Sequence, residues 1–126
     1  MKLVLDASAL LAFLNAEPGG EQVLGMMDGG SISAINWSEV VQKSLRYGAN
    51  VDGMRQDIQD LGLTIVPFTA GHAEHAAGLW QETRKLGLSL ADRACLALAM
   101  EGSATVLTAD RAWAELGLGL DIRLLR

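Results

Sequence analysis

Short apolar runs alternate with helix-like stretches along the whole chain, and glycines separate them. Strands are predicted at "KLVL" (2–5), "SIS" (31–33), "LTIVPF" (63–68), "ATVLTAD" (104–110, with a turn at its end) and "DIRLL" (121–125). Strands that alternate with helices predict an α/β fold with a central, mostly parallel sheet. Because the runs are apolar without alternation, we expect both faces of this sheet to be covered by helices.

The stretches between the strands have helical patterns. Helices are predicted at 9–16, 21–28, 36–48, 51–61, 70–85, 89–101 and 112–116. In 36–48 the apolar residues are Trp37, Val40, Val41 and Leu45, and Gly48 marks the end. Since 126 residues make one domain of ordinary size and no linker or repeat interrupts them, we expect a single domain over residues 1–126.

The composition disfavours several classes of protein. Half of the residues are hydrophobic and a fifth are charged, so the chain can form a core. Cys95 is the one cysteine, which excludes an internal disulfide and fits a cytoplasmic protein. No run approaches the roughly 18 apolar residues of a membrane span, and Asp6 interrupts the first run too early for a signal peptide. The net charge of −5 counts against nucleic-acid binding unless several carboxylates hold metal ions.

Two carboxylates directly follow predicted strands. Asp6 follows "LVL" and Asp110 follows "VLTA". Ligands of open α/β sheets bind outside the carboxyl ends of strands, where the strand order switches, so both acids are candidate site residues. Each also has a plain interpretation, because Asp6 or Ser8, and Thr108 or Asp110, could cap the next helix. Taken singly, capping is the favoured interpretation.

Two further acids lie on predicted helices. "SLADRACLALAM" (89–100) is apolar around its whole circumference behind Asp92, which predicts a buried helix. Ser89 and Asp92 have the spacing of an N-terminal capping pair, but burying an unpaired carboxylate costs several kcal/mol. Glu39 lies beside the apolar stripe of its helix, and pairing with Lys43 at the surface is its plain interpretation.

The four acids occur in order in "LVLDASALLAFL", "INWSEVV", "LSLADRACLALA" and "VLTADRAW". In this combination the chain resembles the PIN domain family and, at this length, its VapC-type ribonuclease toxins of toxin–antitoxin pairs. The resemblance implies a three-layer α/β/α fold in which the strands before Asp6 and Asp110 are neighbours. It also implies that Asp6, Glu39, Asp92 and Asp110 surround one or two Mg²⁺ or Mn²⁺ ions and are catalytic.

The same resemblance implies a function. The chain would be an endoribonuclease that hydrolyses RNA phosphodiesters with metal-bound water and leaves 5′-phosphate and 3′-hydroxyl ends. It would bind a small antitoxin protein, form a homodimer and work in the cytoplasm without a membrane. Ser8 and Thr108 would orient carboxylates. Arg93 and Arg111, each directly after an acid, could contact phosphate, and could equally be solvated or paired within the fold.

Other interpretations stay open. A DNA or flap nuclease would use the same carboxylates, and a PIN fold kept for partner binding would not use them. A phosphoacceptor protein is less favoured because no second acid accompanies Asp6. "GHAEH" holds His72 and His75 without the HExxH spacing, so a solvated helix face is the favoured interpretation. Tryptophans 37, 80 and 113 are interpreted as core or interface residues.

Overall fold

The computed structural model describes residues 2–126; Met1, which belongs to the predicted domain 1–126, lies outside them. Within this part of the chain the strands are β1 (Leu3–Leu5), β2 (Ser31–Ser33), β3 (Thr64–Val66), β4 (Thr105–Thr108) and β5 (Ile122–Leu124). The α-helices are α1 (Ala7–Leu14), α2 (Gly20–Leu24), α3 (Ala34–Arg46), α4 (Met54–Asp60), α5 (Ala70–Gly78), α6 (Trp80–Thr83) and α7 (Leu90–Glu101). Two 3₁₀ turns cover Arg84–Leu86 and Arg111–Glu115. None of the helices in residues 2–126 is both long and apolar enough to cross a membrane.

All strands pair in parallel in the order β3-β2-β1-β4-β5. The chain therefore moves outward from β1 through β2 to β3, returns to the other side of β1 as β4, and ends with β5. The Asp6 N–H donates to the Leu107 carbonyl at 3.2 Å, so pairing of β1 with β4 continues to the edge of the sheet. The order switches between β1 and β4, which is where such sheets form a crevice.

Helices cover both faces of the sheet. Leu5, Ile32 and Leu107 face a core shared with α1, α2 and α4. Val4 and Val106 face a second core formed with α5, α7 and the second 3₁₀ turn. The alternation of side chains along each strand sends neighbours to opposite cores. The predicted three-layer α/β/α architecture is confirmed.

The helix predicted over 70–85 is interrupted in the structure. It divides at Leu79 into α5 and α6, and Arg84–Leu86 continues as a 3₁₀ turn. Gly78 is a poor helix former at this point. The Thr83 hydroxyl also donates to the Leu79 carbonyl at 2.8 Å, and such bonding one turn back bends helices.

The buried face of α3 also differs from the predicted stripe. Its fully buried positions are Asn36, Val40 and Ser44, whereas Leu45 is 56% exposed. The helix packs against both α1 and α7, so its inner face is turned by about one position from the apolar stripe in the sequence. A polar amide is thereby placed inside the protein.

Candidate active site

Asp6 lies at the carboxyl end of β1 and is almost fully buried. Its Oδ1 accepts hydrogen bonds from the Ala9 N–H at 2.9 Å and the Ser8 hydroxyl at 2.7 Å. Its Oδ2 accepts from the Thr108 hydroxyl at 2.6 Å. The capping interpretation is confirmed, because Asp6 caps α1. The hydrogen bond from Thr108 also holds the same carboxylate at the ends of β1 and β4.

Burial raises the pKa of Asp6 from 3.8 to about 6. The hydrogen bonds from Thr108, Ser8 and the Ala9 N–H oppose this rise in pKa, and the charge of Asp92 adds to it. At neutral pH Asp6 is therefore ionised in a place that disfavours its charge. A rise in pKa of this size corresponds to a free-energy cost of about 3 kcal/mol for ionising Asp6 in the folded protein.

Asp110 is connected to Asp6 through Thr108. The Thr108 hydroxyl donates to Asp6 and accepts from the Asp110 N–H at 3.0 Å. The Asp110 side chain itself is exposed, and its Oδ1 caps the second 3₁₀ turn through the Ala112 N–H at 3.0 Å. The neighbouring strands bring the two acids to one edge as predicted, but the carboxylate of Asp110 is held by its own turn.

Asp92 forms a reciprocal capping pair with Ser89. The Ser89 N–H donates to Asp92 Oδ2 at 2.9 Å, and the Asp92 N–H donates to the Ser89 hydroxyl at 3.1 Å. The helix behind it is buried on most sides, from Ala94 to Ala97. Asp92 itself is only partly buried, so its carboxylate avoids the full cost of burial. Its place in the first turn puts it where a negative charge is favourable for the helix.

Glu39 completes a group of three carboxylates. Burial raises the pKa of Glu39, Lys43 lowers it, and the charge of Asp92 raises it. Asp92 therefore lies close enough to Asp6 and to Glu39 for its charge to act on each of them. The interpretation of Glu39 as a solvated partner of Lys43 is therefore incomplete.

Cys95 lies beneath these carboxylates. It is fully buried, and burial raises the pKa of its thiol. The charges of Asp6, Asp92 and Glu39 raise the same pKa further. Cys95 is a packing residue, as the sequence predicts.

Asn36 is the site residue that the sequence reasoning missed. Its side chain is fully buried, and Nδ2 donates to the Ala91 carbonyl of α7 at 2.9 Å. The same nitrogen lies 3.5 Å from Glu39 Oε1. In the sequence, the signal for Asn36 was a polar residue one helical turn before Glu39. The apolar stripe of that helix, however, suggested that Asn36 lies outside the core.

The donors at this edge suit a hard divalent cation, because they are carboxylate oxygens. Within residues 2–126, however, no three His, Cys, Asp or Glu side chains stand together as a ready-made metal site. One oxygen of Asp92 is bonded to the Ser89 N–H, and both oxygens of Asp6 accept hydroxyl protons. The residues fit such an ion in donor type and charge, while their present contacts are with the protein.

His72 departs from the solvated face predicted for "GHAEH". Its Nε2 lies 2.5 Å from Glu101 Oε2, and its Nδ1 lies 3.1 Å from the Pro67 carbonyl. The His72 side chain is 15% exposed. Because α5 carries His72 and α7 ends at Glu101, this contact joins the two helices.

The basic residues beside the acids have different surroundings. Arg93 donates through Nη1 to the Ala76 carbonyl of α5 at 2.8 Å, so it is bonded within the fold. Arg111 is exposed. Among the tryptophans, Trp113 is buried and Trp37 packs on the core, as predicted. Trp80 is 53% exposed, with the Arg84 guanidinium 5.2 Å from its ring centre.

Residues 3–118 match the family model of the PIN domain. The chain belongs to the PIN domain family. Solved structures share its fold: a toxin–antitoxin complex from Klebsiella pneumoniae matches with a TM-score of 0.79 at 21% identity, covering 98% of each chain. VapBC2 from Rickettsia felis, bound to a promoter DNA fragment, matches with a TM-score of 0.72 at 19% identity over 98% of each chain. FitAcB from Neisseria gonorrhoeae matches with a TM-score of 0.69 at 20% identity, covering 98% of this PIN domain and 97% of that chain. No curated protein matches the sequence.

Proposed function

We propose that this PIN domain is a divalent-metal-dependent endoribonuclease and the toxin of a toxin–antitoxin pair. The observation that carries the proposal is the placement of buried Asp6 at the carboxyl end of β1, where the strand order switches, with the charge of Asp92 acting on both Asp6 and Glu39. Asp92 raises the pKa of the other two acids, and no cationic side chain among residues 2–126 forms an ion pair with any of the three. A bound cation would stabilise such a group of like charges.

Each carboxylate has a role in this proposal. Asp6, Asp92 and Asp110 would hold the ion directly, and Glu39 would ligate it or take the proton of the attacking water. One or two Mg²⁺ or Mn²⁺ ions would lower the pKa of bound water and stabilise charge on the phosphate. The hydroxyl of Thr108 fixes Asp6, as does that of Ser8. Ligation by Asp110 requires its carboxylate to leave the N–H that it caps.

The proposed partners follow from the family and from the structures of like fold. Several of those structures are toxin–antitoxin complexes, and three of the structures of like fold also hold DNA. We expect a small antitoxin protein to bind this chain, and RNA to be its substrate. A homodimer working in the cytoplasm is part of the same proposal.

A rival function has one specific observation in its favour. Because no three acids converge as a metal site in residues 2–126, the fold could serve partner binding without catalysis. This rival predicts that Mn²⁺ does not bind. Calorimetric titration of the metal-free protein with Mn²⁺ distinguishes the two functions, because the proposed nuclease gives saturable heat and the rival gives none.

Cleavage of RNA and DNA in parallel tests the proposal directly. The purified chain should cut RNA in Mn²⁺, leave 5′-phosphate ends and stop in EDTA, while Asp6→Asn should be inactive under the same conditions. Cleavage of DNA with RNA left intact would assign a DNA or flap nuclease instead. RNA cleavage that persists in EDTA would remove the metal from the proposal.

A further inference from the structure

We propose that Asn36 is a positioning residue that fixes Glu39 against the helix carrying Asp92. This inference rests on the proposed metal site and adds a residue to it. Glu39 belongs to α3 and Asp92 to α7, so their separation depends on how these helices are joined.

The side-chain amide of Asn36 provides that connection. Nδ2 carries two N–H groups, of which one donates to the Ala91 carbonyl at 2.9 Å and the other faces Glu39 Oε1 at 3.5 Å. Ala91 directly precedes Asp92. A single planar group therefore contacts one proposed ligand and the backbone next to another.

The position of Asn36 is unfavourable for stability alone. Its side chain is fully buried, and its Oδ1 has no hydrogen-bond partner among residues 2–126. A buried acceptor without a partner destabilises the fold, because it has lost its hydrogen bonds to water. An apolar residue would avoid that cost but could not donate a hydrogen bond to Glu39 or to the Ala91 carbonyl. The amide is therefore better explained by the hydrogen bonds of its nitrogen to Glu39 and Ala91 than by packing.

A neutral donor suits this place chemically. Glu39 and Asp92 repel each other, and a cationic side chain between them would compete with a metal ion for the same carboxylates. An amide orients Glu39 without neutralising it. Residues that orient metal ligands in this way typically change metal affinity by about 10- to 100-fold when they are replaced.

The test compares Asn36→Ala with Val40→Ala. Val40 is also fully buried on α3 but packs in the apolar core, so its truncation removes buried atoms from the same helix while the amide is retained. Mn²⁺ affinity is measured by calorimetry for both variants and the wild type. We expect Asn36→Ala to weaken Mn²⁺ binding by about tenfold or more, and Val40→Ala to bind like the wild type even if it melts earlier.

A second measurement uses the metal-free protein. In ¹H–¹⁵N spectra, Asn36→Ala should shift the backbone signals of Ala91 and Asp92, because their neighbour has lost its donor. Glu39→Gln should shift the side-chain amide signals of Asn36. Val40→Ala should leave the signals of Ala91 and Asp92 in place.

The outcomes separate the two proposals. If the wild type binds no Mn²⁺, the proposed function fails, and the metal-free spectra still decide whether Asn36 joins the helices. Equal Mn²⁺ affinity in Asn36→Ala and Val40→Ala would overturn the positioning role, as would unchanged Ala91 and Asp92 signals in Asn36→Ala.

Discussion

The two ends of α7 use a carboxylate in opposite ways. At its C-terminal end Glu101 meets the His72 imidazole of α5, a partner that can carry a positive charge. At its N-terminal end the charge of Asp92 acts on Asp6 and Glu39, which carry charge of the same sign. Glu101 is stabilised by its partner, whereas Asp92, although it caps α7, retains repulsion with two other acids. Departures of this kind from the rules of stability are typical of functional sites.

The largest expected difference between the two ends is in activity. We predict that Asp92→Asn lowers metal-dependent RNA cleavage by roughly a hundredfold or more, because it removes charge that the cation needs. Glu101→Gln, at the other end of the same helix, should cleave RNA like the wild type. Initial rates in Mn²⁺ measure both variants. Equal losses would mean that the helix as a whole, and not its acidic end, matters for activity.

The next effect is on the pH dependence of stability. Because burial raises the pKa of Asp6 to about 6, the folded protein holds this proton more tightly than the unfolded chain does. Stability from this group is therefore present at about pH 4 and is lost as the pH rises through about 6. In EDTA and above about pH 6, the free energy of unfolding of Asp6→Asn should exceed that of the wild type by up to about 3 kcal/mol. At about pH 4 the two proteins should differ little.

Urea unfolding at several pH values measures this difference. Asp57→Asn, an exposed acid on α4, is the matched control and should follow the wild-type curve. Parallel curves for Asp6→Asn and the wild type across the whole range would show that Asp6 carries no such cost.

A smaller effect is expected from metal binding on thermal melting. An ion that binds the folded state at about ten times its Kd adds about 1.4 kcal/mol, or roughly 3–8 °C in Tm for a chain of this size. Mn²⁺ should raise the Tm of the wild type and of Glu101→Gln, and should have little effect on Asp6→Asn. A similar rise in all three proteins would place the metal elsewhere.

The smallest effect is expected at the paired end of α7. His72→Ala should lower the free energy of unfolding by up to about 1 kcal/mol, because its partner Glu101 is largely exposed to solvent. RNA cleavage should be unchanged. A loss of cleavage that exceeds the loss of stability would connect this end of the helix to the active site.

The order of the elements was predictable from the sequence because it depends on periodicity and glycine spacing. Parallel pairing of β1 with β4 then brings Asp6 and Asp110 to one edge, as expected from the resemblance. The direction in which Asp110 points was not predictable, since it depends on a local cap. The division of the helix at Leu79 was also missed, because Thr83 bonds back within a stretch that is otherwise helical.

The contacts made by Asn36 and Arg93 could not be read from the sequence. Both donate to backbone carbonyls of another helix, Ala91 and Ala76 respectively. Because every residue has a backbone carbonyl, the sequence does not show which carbonyl will accept a hydrogen bond from a side chain. The rotation of α3 added to the difficulty, because Leu45 suggested a buried face that the helix turns outward.

The hydrogen bond from Thr108 to Asp6 joins residues 102 positions apart. During synthesis the chain carries Asp6 from the start but has no Thr108 hydroxyl to hold it until β4 has been made. The central strand β1 also lacks its neighbour β4 over that time. An enzyme that cleaves RNA would therefore remain unassembled while it is being translated, and would become active only after its own message has been read past this point.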